Sequence, residues 1–318
     1  MIKKIFVSSI VASSVYLKYQ SIKKKRSIQS IIFELGIKNF WHGLDARTAI
    51  KFEKMNRESY MAYELPQKVE NNLGFEWLDE RKQVLKRDGI VSPVRKVIFY
   101  IHGVTFCQHP TDLQYKFVTK IADRVCASIV MPVYPKAPAK NVDDALSMIM
   151  RSYQELLSSY AGKSENIIIL GDALGGGLAI SLLEQLRDAQ ISLPKQAILL
   201  SPWLDASLTN PAIEDISERD SVLNLDELHL EATYYAGDEE LKSPVVSPIY
   251  GELDNLPNIT IFGGTEEILY PDMKIFTEKV KENVELFTYK GMFHLFQLFP
   301  LPESKRVIEQ ITDLIQYN

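Results

Sequence analysis

Asn166-Ile167-Ile168-Ile169-Leu170-Gly171-Asp172-Ala173-Leu174-Gly175-Gly176-Gly177 decides how this chain folds. The run 166–170 is short and continuously apolar, as expected of a strand covered on both faces of a parallel sheet. Glycines at 171 and 175–177 then mark a tight turn, and the pattern from Gly176 to Ala189 reads as a helix. Strand, turn and helix follow one another within a few residues.

The same alternation extends in both directions. Val97–Ile101, Ser128–Val133, Ala197–Leu200, Ile259–Phe262 and Val284–Tyr289 read as strands. Helical patterns lie between and after them, at Asp112–Ala127, Asn141–Tyr160, Pro271–Glu282 and Glu303–Tyr317. Strands alternating with helices imply right-handed βαβ units. The expected class is α/β, with a mainly parallel sheet flanked by helices. Residues 206–250 break the alternation, carry many Asp, Glu and Pro residues, and hold a helical piece at Asp226–Tyr235. They read as an insertion over the sheet. Residues 27–65 read as largely helical and ended by Pro66, and 67–92 as strands with turns.

Length and composition agree with one large domain. The chain has 318 residues, 46% of them hydrophobic and 24% charged. Its formal net charge of −5 argues against a nucleic-acid binder, which needs a basic face. Only Cys107 and Cys126 are present, both expected to be buried thiols, so a disulfide framework or thiolate metal site has no support. No cofactor motif is found. At the N-terminus, Lys3 and Lys4 precede an apolar run from Ile5 to Leu17, and Lys18, Lys23, Lys24, Lys25 and Arg26 follow it. The run is shorter than the roughly 20 residues of a spanning helix. Residues 1–26 are read as attaching to a membrane surface, with a helix of a cap in a cytoplasmic protein as the alternative.

Four positions carry chemistry. The turn at Gly171-Asp172-Ala173-Leu174-Gly175 has the setting of a nucleophile elbow, G-x-S-x-G, with Ala173 at its tip. His102-Gly103-Val104-Thr105, at the end of a buried strand, fits a loop whose backbone N–H groups stabilise an oxyanion. His294, between the last strand and last helix, is placed as a general base. Glu267 follows the penultimate strand and is chosen as the carboxylate that orients His294, with Glu266 and Asp272 as alternatives. The order 173, 267, 294 is that of the α/β-hydrolase fold.

With these motifs the chain resembles the hormone-sensitive-lipase-like branch of α/β-hydrolases. The resemblance rests on His102-Gly103-Val104-Thr105, Tyr134-Pro135-Lys136-Ala137-Pro138, Gly171-Asp172-Ala173-Leu174-Gly175-Gly176, Ser201-Pro202-Trp203-Leu204-Asp205, Glu267-Ile268-Leu269 and His294. It covers roughly residues 70–318. It implies an eight-stranded-type sheet within one domain over 27–318, with a helical cap from about 27–65 and 206–250. It implies ester hydrolysis without a cofactor, on small acyl esters or lipid-like substrates. Phe40, Trp41, Phe106, Phe293 and Phe296 would favour an apolar acyl group. Nucleophile, base and acid would fall at Ala173, His294 and Glu267, and oxyanion donors at Gly103, Val104, Thr105 and Leu174. Two departures stand out: Val104 replaces a glycine, and Ala173 replaces the serine. Either serine was exchanged for alanine to silence an esterase, or the chain is a natural ligand-binding relative without catalysis. The otherwise complete set of site residues favours the first.

Overall fold

The computed structural model describes residues 16–41, 63–78, 80–89, 96–103, 109–160, 163–280 and 282–317. Eight strands form one sheet: β1 (Glu76–Trp77), β2 (Val84–Arg87), β3 (Val97–Ile101), β4 (Ser128–Pro132), β5 (Ile167–Asp172), β6 (Gln196–Leu200), β7 (Asn258–Gly264) and β8 (Val284–Tyr289). Their spatial order is β1-β2-β4-β3-β5-β6-β7-β8. The pairs β1–β2 and β2–β4 are antiparallel, and every later pair is parallel. This is the α/β-hydrolase arrangement expected from the motifs.

The helices are α1 (Ile28–Trp41), α2 (Gln67–Leu73), α3 (Asp112–Val125), α4 (Val142–Glu155), α5 (Leu174–Asp188), α6 (Ala212–Ser217), α7 (Leu225–Ala236), α8 (Tyr270–Val280) and α9 (Pro302–Tyr317). Side chains alternate across a strand, so β3 feeds both faces of the sheet. Val97, Phe99 and Ile101 join the core that includes α4, α5 and α8. Ile98 and Tyr100 join the core that includes α3 and α9. All five are fully buried, each apolar one contributing roughly 1.5–3 kcal/mol. That double burial is why these strands read as unbroken apolar runs.

Three expectations change. Pro66 does not end a helix but precedes one, standing at the N-cap of α2 with φ −62°. Proline lacks an N–H, and the start of a helix leaves that donor unused anyway. Gly74, at φ 71°, then stops α2 after seven residues, so 67–92 is not all strand and turn. The helix expected over 141–160 is α-helical only to Glu155, and residues Leu156–Tyr160 form a wider π-turn. Cys126 is half-buried at the left-handed C-cap of α3, φ 52°, rather than a core thiol. Cys107 lies outside the described residues. Among the described residues, no helix is long and apolar enough to cross a membrane.

Candidate active site

Strand β5 delivers Asp172 and Ala173 to the top of the sheet, and α5 begins at Leu174. Ala173 sits at φ 47°, ψ −117°, outside the regions open to ordinary L-residues. Such a conformation costs on the order of 1–3 kcal/mol and persists only when surroundings fix it. Here they do. The Ala173 amide donates to the Leu200 carbonyl at 2.9 Å. Its own carbonyl accepts from Gly176 at 3.0 Å and Trp203 at 2.9 Å.

Glycine is demanded around this turn by close backbone approach. A Cβ on Gly175 would lie 2.0 Å from the Ile101 carbonyl oxygen, and one on Gly171 2.6 Å from the Gly175 oxygen. A Cβ on Gly103 would lie 1.9 Å from the Asp172 oxygen and 2.9 Å from the Leu174 nitrogen. Gly103 and Leu174, two of the expected oxyanion positions, therefore meet backbone to backbone. Val104, Thr105 and Phe106 lie outside the described residues, as do the side chains of Phe40 and Trp41.

Asp172 is the buried pin of this corner. One carboxylate oxygen accepts from the Tyr100 hydroxyl at 2.6 Å and the Gly103 amide at 3.0 Å. The other accepts from Gln114 Nε2 at 2.8 Å, and the same amide group reaches the Gly103 carbonyl. Burial pushes the Asp172 carboxyl up to about 6, against the pull of Tyr100, Gly103, Gln114 and the nearby His294. His102 is buried and stacked on Tyr134 at 4.6 Å with rings 14° apart. Burial, then Lys136 and His109, hold its imidazole well below the usual range, so it stays neutral.

Glu267 and His294 come together on the other side. Glu267 Oε2 stands 2.7 Å from His294 Nδ1, with both side chains buried. Glu267 Oε1 accepts from the Gly264 amide at 2.6 Å and from Ser201 Oγ at 3.0 Å. The carboxylate is thus held through its outer oxygen while its inner oxygen faces the imidazole. The other two acid candidates are elsewhere. Asp272 accepts from Asn210 at 2.7 Å. Glu266 stands 3.9 Å from Lys24 and 4.0 Å from Arg219.

Several residues here escape a reading of the sequence alone. Ser201 binds Glu267 and also receives the Leu295 amide at 3.4 Å, so it ties the acid loop to the base loop. Asp220, from the 206–250 insertion, accepts from the amides of Val222 (2.8 Å), Leu223 (3.0 Å) and Ile268 (2.8 Å). It clamps the insertion onto the residue next to Glu267. Burial raises its carboxyl to about 6, with His294 and those amides pulling the other way. Only Ser201 left a trace in the sequence, as the first residue of S-P-W-x-D. A cavity of about 1040 Å³ is lined by Tyr63, His109, Tyr134 and Lys136 among others. It is lined by none of Ala173, Glu267 and His294, so it is not where the chemistry would occur.

Comparisons with known proteins place the chain in a family. A family model described as the alpha/beta hydrolase fold matches residues 98–298. An esterase of Acinetobacter venetianus is 32% identical over 224 residues, 69% of this chain and 74% of that protein. An acetyl-hydrolase of Streptomyces hygroscopicus is 27% identical over 69% of this chain and 76% of its own length. Among solved structures, a Staphylococcus aureus protein provisionally described as an esterase is 30% identical with a TM-score of 0.79, covering 86% of this chain and 94% of that one. A hormone-sensitive lipase from a metagenome library is 25% identical with a TM-score of 0.70, covering 83% and 95%. With its strand order, its elbow and these relatives, the chain belongs to the α/β-hydrolases, in their hormone-sensitive-lipase-like branch.

Proposed function

We propose that this chain is a serine carboxylesterase acting on apolar acyl esters, with its nucleophile position occupied by alanine. The observation that carries this reading is the Glu267–His294 pair at 2.7 Å, complete on a fold whose elbow still holds Ala173 in a strained conformation. A serine hydroxyl at 173 would attack the ester carbonyl as His294 takes its proton. Glu267 would hold the imidazole in one tautomer and stabilise its cationic form. Backbone N–H groups near Gly103 and Leu174 would receive the negative charge that develops on the carbonyl oxygen. The C–O bond to the alcohol then breaks, His294 returns the proton to the leaving oxygen, and water releases the acid from the acyl-enzyme. No step calls for a cofactor. The parts of the cap would be α1 with the 206–250 insertion. They already meet, Ser221 Oγ donating to Glu34 Oε1 at 2.8 Å.

Residues 1–26 are proposed to attach the protein to a membrane surface, with lipid-like esters as the matching substrate class. The basic run at 23–26 supports this.

The test of the activity is the Ala173→Ser form, assayed beside the parent with short and medium p-nitrophenyl acyl esters and a fluorophosphonate label. The serine form is expected to label and turn over, with a gain in kcat on the order of 10⁶. If neither form reacts, the chain is a ligand-binding relative that keeps the pocket without the chemistry.

A further inference from the structure

Helix α1 has two unlike faces. Its inner face is packed beside the candidate active site. Phe33 stacks on Phe293 at 6.2 Å and 18°, next to His294. Glu34 is buried, bound by Ser221 and paired with Arg26. Arg26, just ahead of the helix, donates to the Gly291 carbonyl at 2.5 Å, three residues before His294. Ser27 bonds Glu303 at the start of α9. These contacts fix α1 to the base loop.

Its outer face carries exposed apolar side chains. Ile28, Ile32 and Leu35 recur at helical spacing and are 40%, 53% and 41% exposed. The helical segment 16–24 ahead of it exposes Tyr16, Tyr19 and Ile22 as well. Exposed Lys18, Lys23 and Lys25 lie among these side chains. The first acidic residue of the chain is Glu34, although the formal net charge of the whole is −5. Positive charge is therefore concentrated in the same stretch of chain as these exposed apolar side chains.

Apolar and aromatic side chains interleaved with lysines match an anionic lipid surface, where rings and aliphatic groups enter the headgroup boundary and lysines meet phosphates. We propose that the outer face of α1, together with residues 16–25, docks on an anionic bilayer and holds the candidate active site over membrane-resident esters. A helix is roughly 10 Å across, so the base loop would stand about that far from the lipid. The proposal rests on the membrane reading of residues 1–26 and extends it to a second, cap-borne element tied to the base loop. Helix and loop would move as one body on docking.

The test uses the full chain with its Ala173, so binding is read without chemistry. Co-sedimentation is measured with vesicles of phosphatidylcholine alone and of equal parts phosphatidylcholine and phosphatidylglycerol. The parent is expected to bind the anionic vesicles about tenfold more tightly. The triple variant Ile28→Ser, Ile32→Ser, Leu35→Ser is expected to lose at least about fivefold of that binding. The single variant Ile32→Glu, at the most exposed position, reports in the same direction if the triple variant is unstable. If both variants bind as the parent does, α1 has no part in docking and residues 1–26 act alone. A parent that ignores both vesicle types overturns both membrane readings, while the esterase reading is judged separately by the Ala173→Ser assay. A parent dimer that these substitutions convert to monomer makes the face a self-association surface and overturns the proposal.

Discussion

The Asp172 carboxylate holds the amide of Gly103 at 3.0 Å, so the residue beside the expected nucleophile position also anchors the start of the expected oxyanion loop. Two segments 69 residues apart are joined by one buried side chain. The same carboxylate takes Tyr100 from β3 and Gln114 from the first turn of α3. Gln114 Oε1 in turn accepts from the Thr111 amide at 2.8 Å, where α3 begins. The elbow, the loop and α3 are therefore one hydrogen-bonded unit, and none of these hydrogen bonds uses the side chain at 173.

Removing this pin is expected to cost both stability and rate. Asp172→Ala strands the Tyr100 hydroxyl, the Gly103 amide and part of the Gln114 amide in a dry interior. An unmatched buried donor costs about 1–3 kcal/mol, and loss of a buried, desolvated carboxylate returns some of that. A net destabilisation of roughly 2–4 kcal/mol is expected from denaturant unfolding. In the Ala173→Ser form the same change should lower kcat by about 10²-fold or more through a displaced oxyanion loop. Unchanged unfolding and kcat would show that Gly103 is held by other contacts.

The choice of acid can be tested in the same serine background. Glu267→Gln leaves the shape of the side chain but allows the wrong histidine tautomer, and kcat is expected to fall by about 10⁴-fold with KM nearly constant. Glu266→Gln and Asp272→Asn should each leave kcat within a few-fold, because neither carboxylate reaches His294. A large loss on Asp272→Asn, with Glu267→Gln mild, would reverse the assignment.

Much of this was readable from residue order, and the unread part has a common cause. The strands covered on both faces show as apolar runs at 97–101 and 167–170. The elbow and the base loop lie between a strand and a helix, so local context finds them. Glu267 is favoured over Glu266 and Asp272 by the resemblance at Glu267-Ile268-Leu269, whereas which carboxylate faces His294 is a matter of loop conformation. Tyr100, Gln114, Ser201 and Asp220 act across the sheet or across the insertion. Tyr100 stands opposite Leu170 in the β3–β5 register, and nothing within a few residues of it marks that pairing. Pro66 misled because proline both ends and begins helices, and the side it serves depends on the residues after it.

Gly175→Ala is expected to be among the most damaging single changes in the chain. Its Cβ would sit 2.0 Å from the Ile101 oxygen and 2.7 Å from the His102 carbonyl carbon. Both are backbone atoms of β3 and its exit, which cannot swing aside as a side chain can. A loss above about 4 kcal/mol, seen as aggregation or a collapsed unfolding midpoint, follows from overpacking against main chain. A well-folded Gly175→Ala protein with a normal midpoint would mean that α5 stands farther from β3 than the structure places it.

Glu184 makes a prediction about pH. It lies on the buried side of α5, 7% exposed, and its Oε1 has no hydrogen-bond partner among the described residues. Burial pushes its carboxyl up to about 8, with Arg187 lowering it and Asp188 and Glu252 raising it further. A carboxyl raised on folding binds its proton more tightly in the folded state. Its contribution is therefore fully present below the unfolded value and is lost as pH rises through about 8. Glu184→Gln removes the ionisation and should be more stable than the parent by roughly 1–3 kcal/mol at about pH 9, with the gap closing near pH 4. Thermal midpoints of the two proteins across that range decide it. Parallel curves would mean that Glu184 ionises in the fold as easily as in the unfolded chain, with Arg187 supplying the missing partner.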